Sequence, residues 1–115
     1  MNTSKKSKNS RINCEGKTIW IRDGKSKQVG ATKAIIHSPR KIDVNVEWNK
    51  KHCVTYLESN DGITFIADSK KSNLNGHARC KLYSNKIGHL LLGIWVEDSE
   101  EYHWVVELKV VELKS

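Results

Sequence analysis

Apolar and polar residues alternate with a period of two along most of the chain. The cleanest run covers residues 41–48, where Ile42, Val44, Val46 and Trp48 fall on one face and Asp43, Asn45 and Glu47 on the other. That pattern predicts a half-buried strand. Upstream, residues 18–22 end at Asp23-Gly24, a pair suited to a turn with positive φ. Residues 31–37 run into Ser38 and the single proline, Pro39, so residues 38–40 read as a hairpin loop. Downstream, Asn49-Lys50-Lys51 interrupts the pattern before residues 52–59. Asn60-Asp61-Gly62 is then the strongest hairpin signal, because Asp-Gly can adopt the primed turn that matches strand twist.

After residues 63–67 comes a polar connection, residues 68–76, longer than the median loop of about 4–6 residues. Residues 77–83 alternate again, and Ser84-Asn85-Lys86 makes a turn. Residues 87–97 are apolar on both parities, as expected of a central or doubly covered strand. Asp98-Ser99-Glu100 turns into a final alternating set, Tyr102, Trp104, Val106, Leu108 and Val110. The C-terminus repeats Val-Val-Glu-Leu-Lys with a period of five, which would flip the second copy to the other face of an unbroken strand. The strand is therefore expected to end or bulge near Lys109; a terminal helix with Trp104, Leu108 and Val111 on one face is the competing reading.

About eight strands joined mostly by short turns pair antiparallel with their neighbours, and a meander of that size leaves exposed edges unless it closes. The expectation is an all-β, antiparallel up-and-down barrel of about eight strands, with an SH3-like or OB-like small barrel as the alternative. The stretch Leu90-Leu91-Leu92-Gly93-Ile94-Trp95-Val96-Glu97, a turn, then Tyr102-His103-Trp104-Val105-Val106-Glu107-Leu108 resembles the closing hairpin of small calycin-type barrels, the streptavidin-like and lipocalin-like group. The resemblance implies a pocket at one open end of the barrel. Trp20 lacks the preceding glycine of the lipocalin-type Gly-x-Trp, and no biotin site is carried over.

Length and composition bound the rest. At 115 residues and 13.1 kDa there is room for one domain. With 37% hydrophobic and 29% charged residues its core is expected to be thin. The N-terminal residues have no apolar stretch for a signal peptide, no run is long enough to span a membrane, and the three cysteines are too few and too scattered for a disulfide framework. These features point to a cytosolic protein without a membrane partner. The formal net charge of +7 is polarised: residues 1–51 hold 13 Lys/Arg against 4 Asp/Glu, and residues 92–115 hold 2 against 6. Residues 1–16 read as a disordered basic tail and residues 17–115 as the barrel.

Candidate chemistry is sparse. His52 beside Cys53, and His77 three before Cys80, point to opposite faces of a strand, so no metal site is expected. No serine sits in a nucleophile elbow, no glycine-rich loop precedes a helix, and the acids at Glu97, Asp98, Glu100 and Glu101 read as a solvated turn. His89 and His103 read as surface or core-edge residues, with an approach in register across the last hairpin as the alternative. No enzyme activity and no cofactor are expected. The leading reading is a non-catalytic binder holding a small, partly aromatic or apolar ligand at the barrel mouth through Trp20, Tyr56, Trp95 and Tyr102. The alternatives are a nucleic-acid or other polyanion binder using the basic N-terminal arm with Lys25, Lys27, Lys33, Arg40, Lys50 and Lys51, and an interaction module or homo-oligomer.

Overall fold

Short turns force each strand to pair with its sequence neighbour, and the ladder closes when the last strand meets the first. The computed structural model describes residues 11–48, 50–67 and 76–111, with Lys27 and Trp48 described in backbone only. It contains β1 (Ile12–Arg22), β2 (Lys25–Ser38), β3 (Lys41–Trp48), β4 (Lys51–Ser59), β5 (Thr64–Ala67), β6 (Gly76–Ser84), β7 (Gly88–Glu97) and β8 (Glu100–Val110). They form a closed antiparallel barrel in chain order, β1 to β8. The SH3-like and OB-like alternatives are set aside by this count and order. The seam runs from Cys14 opposite Val110 to Ile21 opposite His103.

Three local expectations need correction. β1 begins at Ile12, so residues 12–16, which the polar composition placed in the tail, are paired with β2 throughout and with β8 from Cys14 onward. Residues 1–10 of that expected tail, residues 68–75 of the long connection and residues 112–115 of the repeat lie outside the described residues. Asp61-Gly62 is not a primed two-residue turn, since only Gly62 has positive φ. Instead the Asp61 carboxylate accepts the Ile63 and Thr64 amides, both at 2.9 Å, in a four-residue loop. Finally, His89 stands opposite Leu108 and His103 opposite Ile94, so the two histidines are far out of register.

Other turns follow the sequence. Asp23 and Gly24 both have positive φ (55° and 72°), as do Asp98 and Ser99 (53° and 66°), the pattern of a two-residue primed turn. β8 is strand, and it stops at Val110, next to the expected break.

Inward residues fill the barrel. Ile42, Val44, Leu57, Phe65, Leu91, Trp95, Trp104 and Val106 belong to one packed cluster. Two threonines enter it as a satisfied pair: Thr32 gives its hydroxyl proton to the Gly30 carbonyl at 3.1 Å and accepts from Thr18 at 2.7 Å. Gly93, opposite both Cys80 and Trp104, allows a close approach of strands, because a Cβ there would overlap the Arg79 carbonyl oxygen.

Candidate functional site at the tryptophan end

The turns at residues 23–24 and 98–99, and the hairpin joining β3 to β4, all lie at one end of the barrel. The chain delivers its tryptophans there. Trp20 is two residues from the end of β1, Trp95 two from the end of β7, and Trp104 in the first half of β8. Trp48 closes β3 at the same end, and its side chain lies outside the described residues. Inward parity on each strand turns these positions into neighbours. Trp20 meets Trp95 edge-on with ring centroids 6.0 Å apart, and Trp95 lies 5.3 Å from Trp104 at a 39° tilt. Their exposures are 6%, 1% and 0% respectively.

A polar layer sits between this cluster and the rim. The Trp95 Nε1–H donates to Glu97 Oε1 at 2.9 Å. Arg22 pairs with Glu100 at 2.9 Å and lies 5.8 Å from the Tyr102 ring centroid, and the Tyr102 hydroxyl donates to Glu100 at 3.3 Å. The Arg22–Glu100 pair is half exposed, so it orients these groups more than it stabilises the fold. One group is left over: the buried indole N–H of Trp104 has no hydrogen-bond partner among the described residues. An unpaired buried donor costs about 1–3 kcal/mol.

Of the four residues expected to touch a ligand, Trp20, Trp95 and Tyr102 converge and Tyr56 does not. Tyr56 has the opposite parity to Cys53, Thr55 and Leu57, stands opposite Asp43, and is 42% exposed on the outer wall. Conversely, Arg22, Glu97 and Glu100 belong to this end and were not singled out for it. Their signal was position: each flanks a two-residue turn on the parity of an inward aromatic.

The basic residues are dispersed. Lys25, Lys50 and Lys51 sit on hairpins at the tryptophan end, whereas Lys33 lines an outer groove with Glu15 and Glu47, and Arg40 occupies the β2–β3 turn at the other end. The side chain of Lys27 lies outside the described residues. Outer grooves of about 680 Å³ open beside Lys33 and His52, and beside Tyr83, Ile87 and His89. His52 is exposed and Cys53 buried; His77 is exposed and Cys80 buried. Burial pushes the Cys80 thiol up to about 12 and also raises Cys14; for Cys53, burial and then the Glu97 carboxylate raise the thiol against a smaller pull from Lys51. Thiols so shifted are poor nucleophiles.

No known protein family matches the chain, and neither a curated protein nor a solved structure matches it significantly.

Proposed function

We propose that the protein is a non-catalytic binding barrel of calycin-like type that takes a small planar ligand at its tryptophan end. The observation that carries this reading is the Trp104 indole N–H, buried and unpaired beside two other tryptophans. Packed aromatics with one unpaired donor suit a flat molecule bearing a carbonyl or ring-nitrogen acceptor. Arg22, Glu97, Glu100 and Tyr102 form the polar rim that such a ligand crosses. Because Trp20, Trp95 and Trp104 are covered, entry displaces side chains at this rim, and the half-exposed Arg22–Glu100 pair is the contact that yields at least cost. The free, buried cysteines fit a reducing compartment, and the proposed setting is the cytosol.

The test is native mass spectrometry of the purified protein in low and high salt, followed by titration of tryptophan fluorescence with adenine, riboflavin and indole-3-acetate. A small adduct that survives salt, or saturable quenching that Trp104→Phe weakens, supports the reading. Protein that carries no adduct, whatever its oligomeric mass, and shows no saturable quenching overturns it.

A further inference from the structure

A barrel strand that faces a packed interior and water should alternate apolar and polar residues. β7 does not. Its inward Leu91 and Trp95 are buried, and its outward positions are Leu90, Leu92, Ile94 and Val96, of which Leu92 is 39% exposed. The strands on either side carry opposite charge outward. β6 places Arg79 and Lys81 beside Ile94 and Leu92; β8 places Glu101 and Glu107 beside Val96 and Leu90, with His103 and Val105 between them, and Glu107 lies 3.7 Å from Lys17 of the same chain in an exposed pair. Neither Arg79 nor Lys81 makes an ion pair within the chain among the described residues. The outer wall thus carries basic residues on β6, an apolar strip on β7, and on β8 two carboxylates six residues apart, side by side.

Such a sequence of strips is complementary to itself under one symmetry only. A two-fold axis running along β7 lays the apolar strip on its own copy and sets β6 of one protomer against β8 of the other. An axis across the strands would put β6 on β6 and β8 on β8, like charge on like. We propose that two copies of this chain pair through β6, β7 and β8 about a two-fold axis parallel to β7. At equal height His77 then faces Glu101 of the second copy, Arg79 faces His103, Lys81 faces Val105 and Tyr83 faces Glu107; the long side chains of Arg79 and Lys81 reach Glu101 and Glu107 two residues along the strand. Isologous contact of this kind is the commonest route to a dimer. It also accounts for the apolar residues at every outward position from Leu90 to Val96, which no interior demand explains.

Light scattering on the full chain at near-physiological salt, over a hundredfold range of concentration, reads the mass directly. The expected mass is about twice 13.1 kDa, with Leu92→Lys raising the dimer Kd about tenfold or more. Two charge variants test the axis. Arg79→Glu/Lys81→Glu leaves both flanking strips acidic, and Glu101→Lys/Glu107→Lys leaves both basic. Each alone is expected to be monomeric, and an equimolar mixture is expected to restore the dimer, since every β6–β8 contact in the mixed pair joins opposite charges. Thermal melts monitored by circular dichroism confirm that each variant is folded. A wild-type chain that stays monomeric, a dimer indifferent to Leu92→Lys, or folded charge variants that fail to pair when mixed overturns the proposal.

Discussion

Trp20 stands directly opposite Trp104 in the ladder between the first and last strands. The two largest side chains on that seam therefore lie where the barrel closes, and Trp95 bridges them from β7. Closure and the candidate site share the same residues. Substitutions here act on stability and binding together, and a truncation must be compared with an aromatic replacement to separate the two.

Trp104→Phe keeps most of the packing and removes the unpaired donor, so it is expected to change the unfolding free energy by less than about 1.5 kcal/mol. Trp104→Ala empties the space and is expected to cost about 3–5 kcal/mol. Trp95→Phe, which strips Glu97 of its indole partner, should be the costlier of the two phenylalanine variants. Urea titration of the three proteins gives the order.

Gly93→Ala forces a methyl group into the Arg79 carbonyl and the Cys80 backbone. Overpacking against a main chain held by ladders on both sides is expected to cost about 3 kcal/mol, seen as a lower urea midpoint with an unchanged slope.

Ser99 occupies the left-handed region with no glycine to ease it, next to Asp98 in the same region. Ser99→Gly creates the Asp-Gly pair that this turn favours and should stabilise the protein by about 1 kcal/mol. A higher melting temperature is the readout.

The three thiols are buried, and burial pushes that of Cys80 up to about 12. A thiol reagent at pH 8 is expected to label them slowly in the folded protein and all three promptly in urea. Fast labelling of one residue in native conditions would mark a local opening of its strand.

On the acid side, two of the described groups give stability a pH dependence. The amides of Thr64 and Ile63, with the Ser59 hydroxyl, hold the Asp61 carboxyl below its ordinary 3.8. Its contribution is present above 3.8 and is lost as pH falls through the lower folded value. Burial holds His89 below its ordinary 6.5, so the unfolded chain takes up the proton first and stability declines as pH falls below 6.5. Denaturation midpoints measured against pH should flatten below 6.5 in His89→Gln and at the acid limb in Asp61→Asn.

The barrel was legible because alternation and short turns fix neighbour pairing, and a meander of eight such strands keeps two exposed edges unless it closes. The convergence of Trp20 and Trp95 was only half legible: both lie two residues from a turn, but Trp20 shares its parity with Thr18 and Arg22 and β7 is apolar on both parities, so alternation did not say that either ring faces inward. Tyr56 was misleading because β4 mixes its signals: inward Thr55 is polar, whereas outward Val54 and Tyr56 are apolar. Residues 12–16 were read as tail because Asn13, Glu15 and Gly16 carry little strand propensity; pairing on both sides, not local preference, makes them strand. The unpaired Trp104 donor was invisible in the sequence, since satisfaction of a hydrogen bond depends on what surrounds the ring.

The amide of Val111 donates to the carbonyl of Asn13 at 2.8 Å, just beyond the end of the β1–β8 seam. A few residues would join these two points into a continuous circle, and new ends could then be opened elsewhere, for example at Asp23-Gly24, by circular permutation. Any tag or neighbouring domain attached outside residues 11–111 leaves from the end of the barrel remote from the tryptophans. Surface immobilisation through either terminus should therefore present the aromatic end outward, oriented alike on every molecule.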